Sequence, residues 1–266
     1  MASRADALTV GAEPAAVPDR RAAVRDVAPP SLRRALRAAL SDLYFHSWRL
    51  VPANIVWSAV MIVALLASIL APIGLLLLTF LAIPTAGLFR MAARIARAEP
   101  VSFWDAASAW RHDLRSTLLV GGAFVLLAVV LSVNLVSGIL AQSFAGWAFA
   151  TLAFWGLVAV WLIAWSAWPL VCDPWRATWP LRDRLRLAVL LVIAHPIRLA
   201  VLGAVLLALL IASSVAIVAI LTVSVAIAAV LDARFVLAAA DRLDAQLGYG
   251  EQRRLTVETA GIDEAD

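Results

Sequence analysis

The chain contains only three histidines, His46, His112 and His195, and each stands three positions before an arginine. The three stretches read His46-Ser47-Trp48-Arg49, His112-Asp113-Leu114-Arg115 and His195-Pro196-Ile197-Arg198. An imidazole titrates near neutral pH and ligates zinc through a ring nitrogen, so three converging histidines would make a metal triad or a pH sensor. A guanidinium instead grips phosphate, and both residue types suit a headgroup boundary, where a long arginine snorkels toward water. The pattern therefore admits an interfacial reading, a convergent histidine site, or chance. The usual zinc-ligand spacings are missing, and no nearby carboxylate is placed to orient the rings. No metal and no cofactor are expected.

A second set of polar residues lies within apolar stretches. Asn54 and Asn134 interrupt two such runs, and Thr79 and Thr85 flank Pro84 in another. Their expected role is hydrogen bonding between helices and to a backbone that proline has opened. Asp173 and Asp232 fall near predicted span ends, and no acid is expected in mid-membrane, which weighs against a proton-driven pump. Phosphate-cradling loops, dinucleotide glycine fingerprints, zinc-protease helices and nucleophile elbows are all missing. His112 and Asp113 are neighbours and cannot face each other on a helix. No catalytic residue is assigned, and the chain is not expected to be an enzyme. The single Cys172 excludes an internal disulfide and any cysteine metal cluster.

The elements that must carry these residues are set by composition. Hydrophobic residues make up 64% of the 266 and charged residues 15%, whereas soluble chains hold roughly 45–50% apolar residues. Three uncharged blocks dominate: Leu50–Phe89, Ser116–Cys172 and Leu199–Leu231. No soluble helix can hide such blocks, because some face must meet water. About 20 apolar residues cross a bilayer core. Breaks at Ala71-Pro72-Ile73-Gly74, at Gln142–Gly146 and at Ala212-Ser213-Ser214 then divide the blocks into six spans, near 52–70, 74–95, 117–140, 147–171, 197–213 and 216–238. The third block is barely long enough for two crossings, and one long tilted helix is its alternative.

All 22 basic residues are arginine, and the formal net charge is +4. The arginines flank the apolar blocks, so anionic lipid, not nucleic acid, is the nearer partner. They alternate with uncharged turns. Arg33, Arg34, Arg37 and Arg49 precede span one, and Arg90–Arg115 and Arg176–Arg198 bound clusters between spans two and three and between four and five. Arg234, Arg242, Arg253 and Arg254 follow or close the last span. The positive-inside rule then puts both termini of a multi-pass protein in the cytoplasm. The arginine-only basic set with heavy Ala and Val usage reads as the bias of a GC-rich bacterial genome, so a bacterial inner membrane is expected.

One unit repeats three times, an amphipathic cytoplasmic helix followed by a transmembrane hairpin. The first helix is expected over 31–46, with Leu32, Leu36, Leu40 and Leu43 on one face and Ser31 as its cap. The second is expected over 102–112, opened by a capping box of Ser102 and Asp105. The third follows Pro180 and runs to Ala194, and each ends at a His-x-x-Arg. The fold expected is an all-α membrane domain over 31–240. Residues 1–30, rich in Ala, Pro and charge, read as a disordered tail with no secretory signal, and 241–266 as a polar carboxy-terminal tail.

The order of four motifs resembles the YesL-like family of bacterial membrane proteins. Asn54-Ile55-Val56-Trp57 opens span one, and Ile83-Pro84-Thr85-Ala86-Gly87-Leu88 lies in span two. Arg94-Ile95-Ala96-Arg97-Ala98-Glu99 follows, and then Phe103 with Arg111 and Arg115. A weaker match continues through His195-Pro196-Ile197-Arg198, so the resemblance covers about 35–240. It implies no defined chemistry. Its members often accompany carbohydrate ABC-transporter genes, which implies an accessory role beside such transporter subunits. The chain lacks the Glu-Ala-Ala loop by which a permease engages its ATPase. A small transporter or channel, with a path between the hairpins past Asn54, Thr85 and Asn134, is the competing expectation.

Overall fold

A computed structural model describes residues 31–70, 72–112, 114–216 and 219–247. Of the two expected tails, 1–30 and 241–266, only 241–247 falls among the described residues. By compactness Pro30–Ala240 forms one unit, and the residues on either side of it are assigned to a second. Of the second unit only 241–247 is described, as helix.

Every regular element among the described residues is helical. Helix α1 runs Leu32–Leu70, and a 3-10 segment, Pro72–Leu81, leads into α2, Ala82–Ala96. Helix α3 (Phe103–His112) precedes the hairpin of α4 (Leu114–Leu140) and α5 (Phe144–Val171). Helix α6 (Leu181–Ala194) precedes α7 (Pro196–Val215), and a π-helical turn, Ile220–Ser224, opens α8 (Val225–Leu247). Among the described residues six helices are long and apolar enough to cross a membrane: Leu32–Leu70, Leu77–Ala96, Leu114–Leu140, Phe144–Val171, Pro196–Val215 and Thr222–Leu247. The chain is an all-α, multi-pass membrane protein, and the third block forms two helices, not one.

The first repeat differs from expectation. Its amphipathic helix is not separate but continues unbroken into span one, through Pro52, as 39 residues. Proline interrupts one hydrogen bond of the ladder, but no glycine or polar turn follows to end the helix. Ser31 caps it as expected, its Oγ accepting from Arg34 N at 3.3 Å. Of the four leucines expected on one face, Leu32 and Leu43 are half-buried. Leu36 and Leu40 are exposed, and Ala35 and Ala39 are buried in their place, because small residues let the backbone approach its neighbours. The second and third helices, α3 and α6, are separate.

The centre is built by α2 and by α8 up to Ala240. Phe89, Met91, Leu231 and Leu237 are among the most buried side chains. Helix α2 packs against α1, α3, α4 and α5. Helices α4 and α5 lie outside, and most of their apolar side chains face outward, which is stable only in lipid. These two pair closely where Gly138 meets Gly146. A Cβ at Gly138 would lie 2.6 Å from the Gly146 carbonyl oxygen, so only hydrogen fits.

Candidate functional site

Polar chemistry concentrates where α2, α3, α5 and α6 end together. Helix α5 stops at Cys172, and Asp173 turns extended before Pro174. Both oxygens of the Asp173 carboxylate are occupied. Arg97 donates from Nε to Oδ1 at 3.1 Å and from Nη2 to Oδ2 at 2.6 Å, and Arg176 donates from Nη1 to Oδ2 at 2.5 Å. The backbone N–H of Trp175 donates to Oδ1 at 3.2 Å. All three charged side chains are buried. A carboxylate in that setting needs this saturation, since burying an unpaired charge is strongly unfavourable.

Aromatic and acidic residues extend the cluster. The Arg97 guanidinium lies 4.0 Å from the centroid of the Trp175 ring, a cation–π contact. The Trp175 indole donates to Glu99 Oε1 at 3.0 Å. Ala98, between Arg97 and Glu99, has a φ of 55° and turns the chain back toward α2. Arg94 pairs with Glu99 at 3.3 Å and also with Asp105. Asp105 closes the capping box as expected, accepting from Ser102 N at 2.6 Å. Arg184 reaches from α6 to the carbonyls of Val171, Ala177 and Trp179, at 2.7, 2.6 and 3.0 Å. It satisfies acceptors that the end of α5 leaves open. Together these bonds form a clasp that ties the α5–α6 connection to the α2–α3 connection. Its chemistry is recognition between fixed charges, with both oxygens of the central carboxylate occupied.

A second polar line runs through the helices. Asn54, fully buried, accepts from the backbone N–H of Ala226 at 2.9 Å. That N–H lies just past the π-helical turn, where the wider loop displaces the regular ladder. Thr85 accepts from the Trp57 indole at 2.9 Å and donates to the Leu81 carbonyl at 2.7 Å. Asp232 is also fully buried, and neither of its carboxyl oxygens has a hydrogen-bond partner among the described residues. Two positions on, Arg234 donates to Asp42 on α1 at 2.7 Å. A wider apolar groove of about 580 Å³ lies between α4, α5 and α7, floored by Trp161 and Leu157.

The predicted site residues are scattered by comparison. His46 donates from Nδ1 to the Asp42 carbonyl at 3.0 Å. Arg49 stacks 4.3 Å over the Trp48 ring. His195 ends α6 half-buried, and Arg115, Arg198 and Asn134 are exposed. His112 ends α3, and its side chain lies outside the described residues. Among the described residues no group of three His, Cys, Asp or Glu side chains is placed to hold a metal. The sequence reading missed the Arg97–Asp173 pair. The available signal was an acid, Asp173, directly after the Ser116–Cys172 block, and an arginine, Arg97, just past the end of α2. No family model, no curated protein and no solved structure matches the chain.

Proposed function

We propose that this is a non-enzymatic accessory or regulatory protein of a bacterial inner membrane, with both termini cytoplasmic, that docks on a carbohydrate ABC transporter. The clasp carries this reading. Its charged residues are spent on fixing the cytoplasmic connections, which gives α3 and α6 a rigid frame. On that frame Trp104, Trp175 and Arg182 stand exposed at the arginine-rich end. Exposed tryptophan and arginine are the residue types that anchor protein interfaces. The transporter as partner rests on the resemblance to the YesL-like family. The test is cross-linking in native membranes, purification and mass spectrometry. Recovery of permease or ATPase subunits, lost with Trp104→Ala and Arg182→Glu together, is expected. Purification without any transporter subunit would overturn the reading.

A small transporter or channel is the second reading, and Asp232 is the observation that favours it. Ionisable residues buried in membrane helices commonly mark ion or substrate pathways. Flux into proteoliposomes that disappears with Asp232→Asn would support it. No flux across a broad panel of sugars and ions would remove it.

A further inference from the structure

One side of α1 changes character along its length. Across span one it is aliphatic and exposed: Ile55, Ile62, Leu66 and Ile69. The same side continues toward the amino terminus as Trp48, 66% exposed, Tyr44, 79% exposed, and Leu40, 50% exposed. It finishes on Arg37, Arg34 and Arg33, all exposed. The spacing of three, four and seven residues keeps these side chains on one helical face. The opposite face is buried, through Ala35, Ala39, Ala53 and Ala64. The one acid in the first half of α1, Asp42, is held by Arg234.

Distances along the helix place this face against the bilayer. From Trp48 to Leu70 the rise is about 33 Å, which matches the hydrocarbon thickness. Trp48 therefore stands at the boundary, where tryptophan and tyrosine collect. Everything before it, about 24 Å of helix, lies beyond the hydrocarbon yet presents the side that faces lipid in span one. Pro52 lacks the N–H that would bond the Trp48 carbonyl, so the ladder is weakest at that boundary.

We infer that Leu32–Arg49 is a binding site for anionic phospholipid headgroups. The segment leans at Trp48–Pro52, Leu40 and Tyr44 enter the headgroup layer, and Arg33, Arg34 and Arg37 bind phosphate. Charge complementarity selects this occupant, since the face carries three guanidiniums and no free acid, and it is continuous with a surface already in lipid. An arginine near an anionic surface contributes about fivefold to partitioning, so the three together contribute on the order of a hundredfold.

The full chain, carrying Cys172→Ala and a nitroxide at Leu40→Cys, is reconstituted in nanodiscs of neutral phosphatidylcholine, with or without phosphatidylglycerol. Collision with a water-soluble paramagnetic relaxant reports exposure at position 40. The label is expected to be shielded with phosphatidylglycerol, exposed without it, and exposed again in high salt. Arg33→Gln, Arg34→Gln and Arg37→Gln together should abolish the shielding, and because all three are exposed the fold is retained. Equal accessibility in both lipids, or shielding that survives the triple variant, overturns the proposal. Shielding accompanied by dipolar broadening between labels also overturns it, because a second copy would then be the occupant.

Discussion

Arg97 and Asp173, 76 positions apart in the chain, meet through two hydrogen bonds of 3.1 and 2.6 Å with 6% and 0% of their side chains exposed. The pair closes the connection after α2 against the connection after α5. Asp173→Asn leaves Arg97 and Arg176 as buried cations with one neutral acceptor. Breaking a buried pair costs roughly 3–5 kcal/mol. A marked fall in the midpoint of thermal unfolding, followed by tryptophan fluorescence in detergent, is expected. A double-mutant cycle with Arg97→Ala should show strong coupling, and additive effects would contradict the clasp.

Asn54→Leu removes the acceptor of Ala226 N–H and leaves a buried donor open. The expected loss is about 1–3 kcal/mol. Hydrogen exchange should localise it: amides from 222 to 230 lose protection, while those in α4 and α5 do not. Uniform loss throughout the bundle would mean that Asn54 acts through packing and not through the π-helical turn.

Asp232→Leu should stabilise the protein. A buried polar group without a partner costs about 1–3 kcal/mol, and an apolar side chain of similar volume removes that cost. A raised unfolding midpoint is the expected result. A lowered midpoint would show that Asp232 has a partner in the native membrane, and Asp232→Asn, which keeps hydrogen-bonding capacity, would then fall less.

Gly138→Val forces α4 and α5 apart, since a Cβ there meets the Gly146 carbonyl and the Ala150 amide. Overpacking of this kind costs roughly 1–3 kcal/mol. Gly156→Ala is the milder comparison, because its added Cβ meets the flexible end of Leu131. Unfolding midpoints should order wild type, Gly156→Ala, Gly138→Val. A Gly138→Val midpoint equal to wild type would contradict the close α4–α5 contact.

The number of crossings was legible in the sequence because each crossing must satisfy its backbone within one helix, which demands an uninterrupted apolar run. The capping box at Ser102 and the break between α7 and α8 were legible for a similar reason, since both are decided by residues a few positions apart. The repeat of helix and hairpin was legible too, but in its first copy the two parts form one unbroken helix, Leu32–Leu70. Pro52 alone does not end a helix, and no local signal distinguishes a kink from a stop.

What the sequence determined by itself was therefore the class and the crossings, properties of local hydropathy and charge. What only the tertiary structure decided was which polar residues meet. Asn134 and Asn54 look alike as isolated asparagines in apolar runs, yet one faces outward and the other holds Ala226. Arg97 finds Asp173 because the ends of α2 and α5 are brought together by packing, and a pairing between distant segments leaves no periodic trace in either. Asp232, which by position belonged to the edge of a span, is enclosed because α8 runs through the centre of the bundle. Burial of that kind follows from which helix is surrounded, and hydropathy does not encode it.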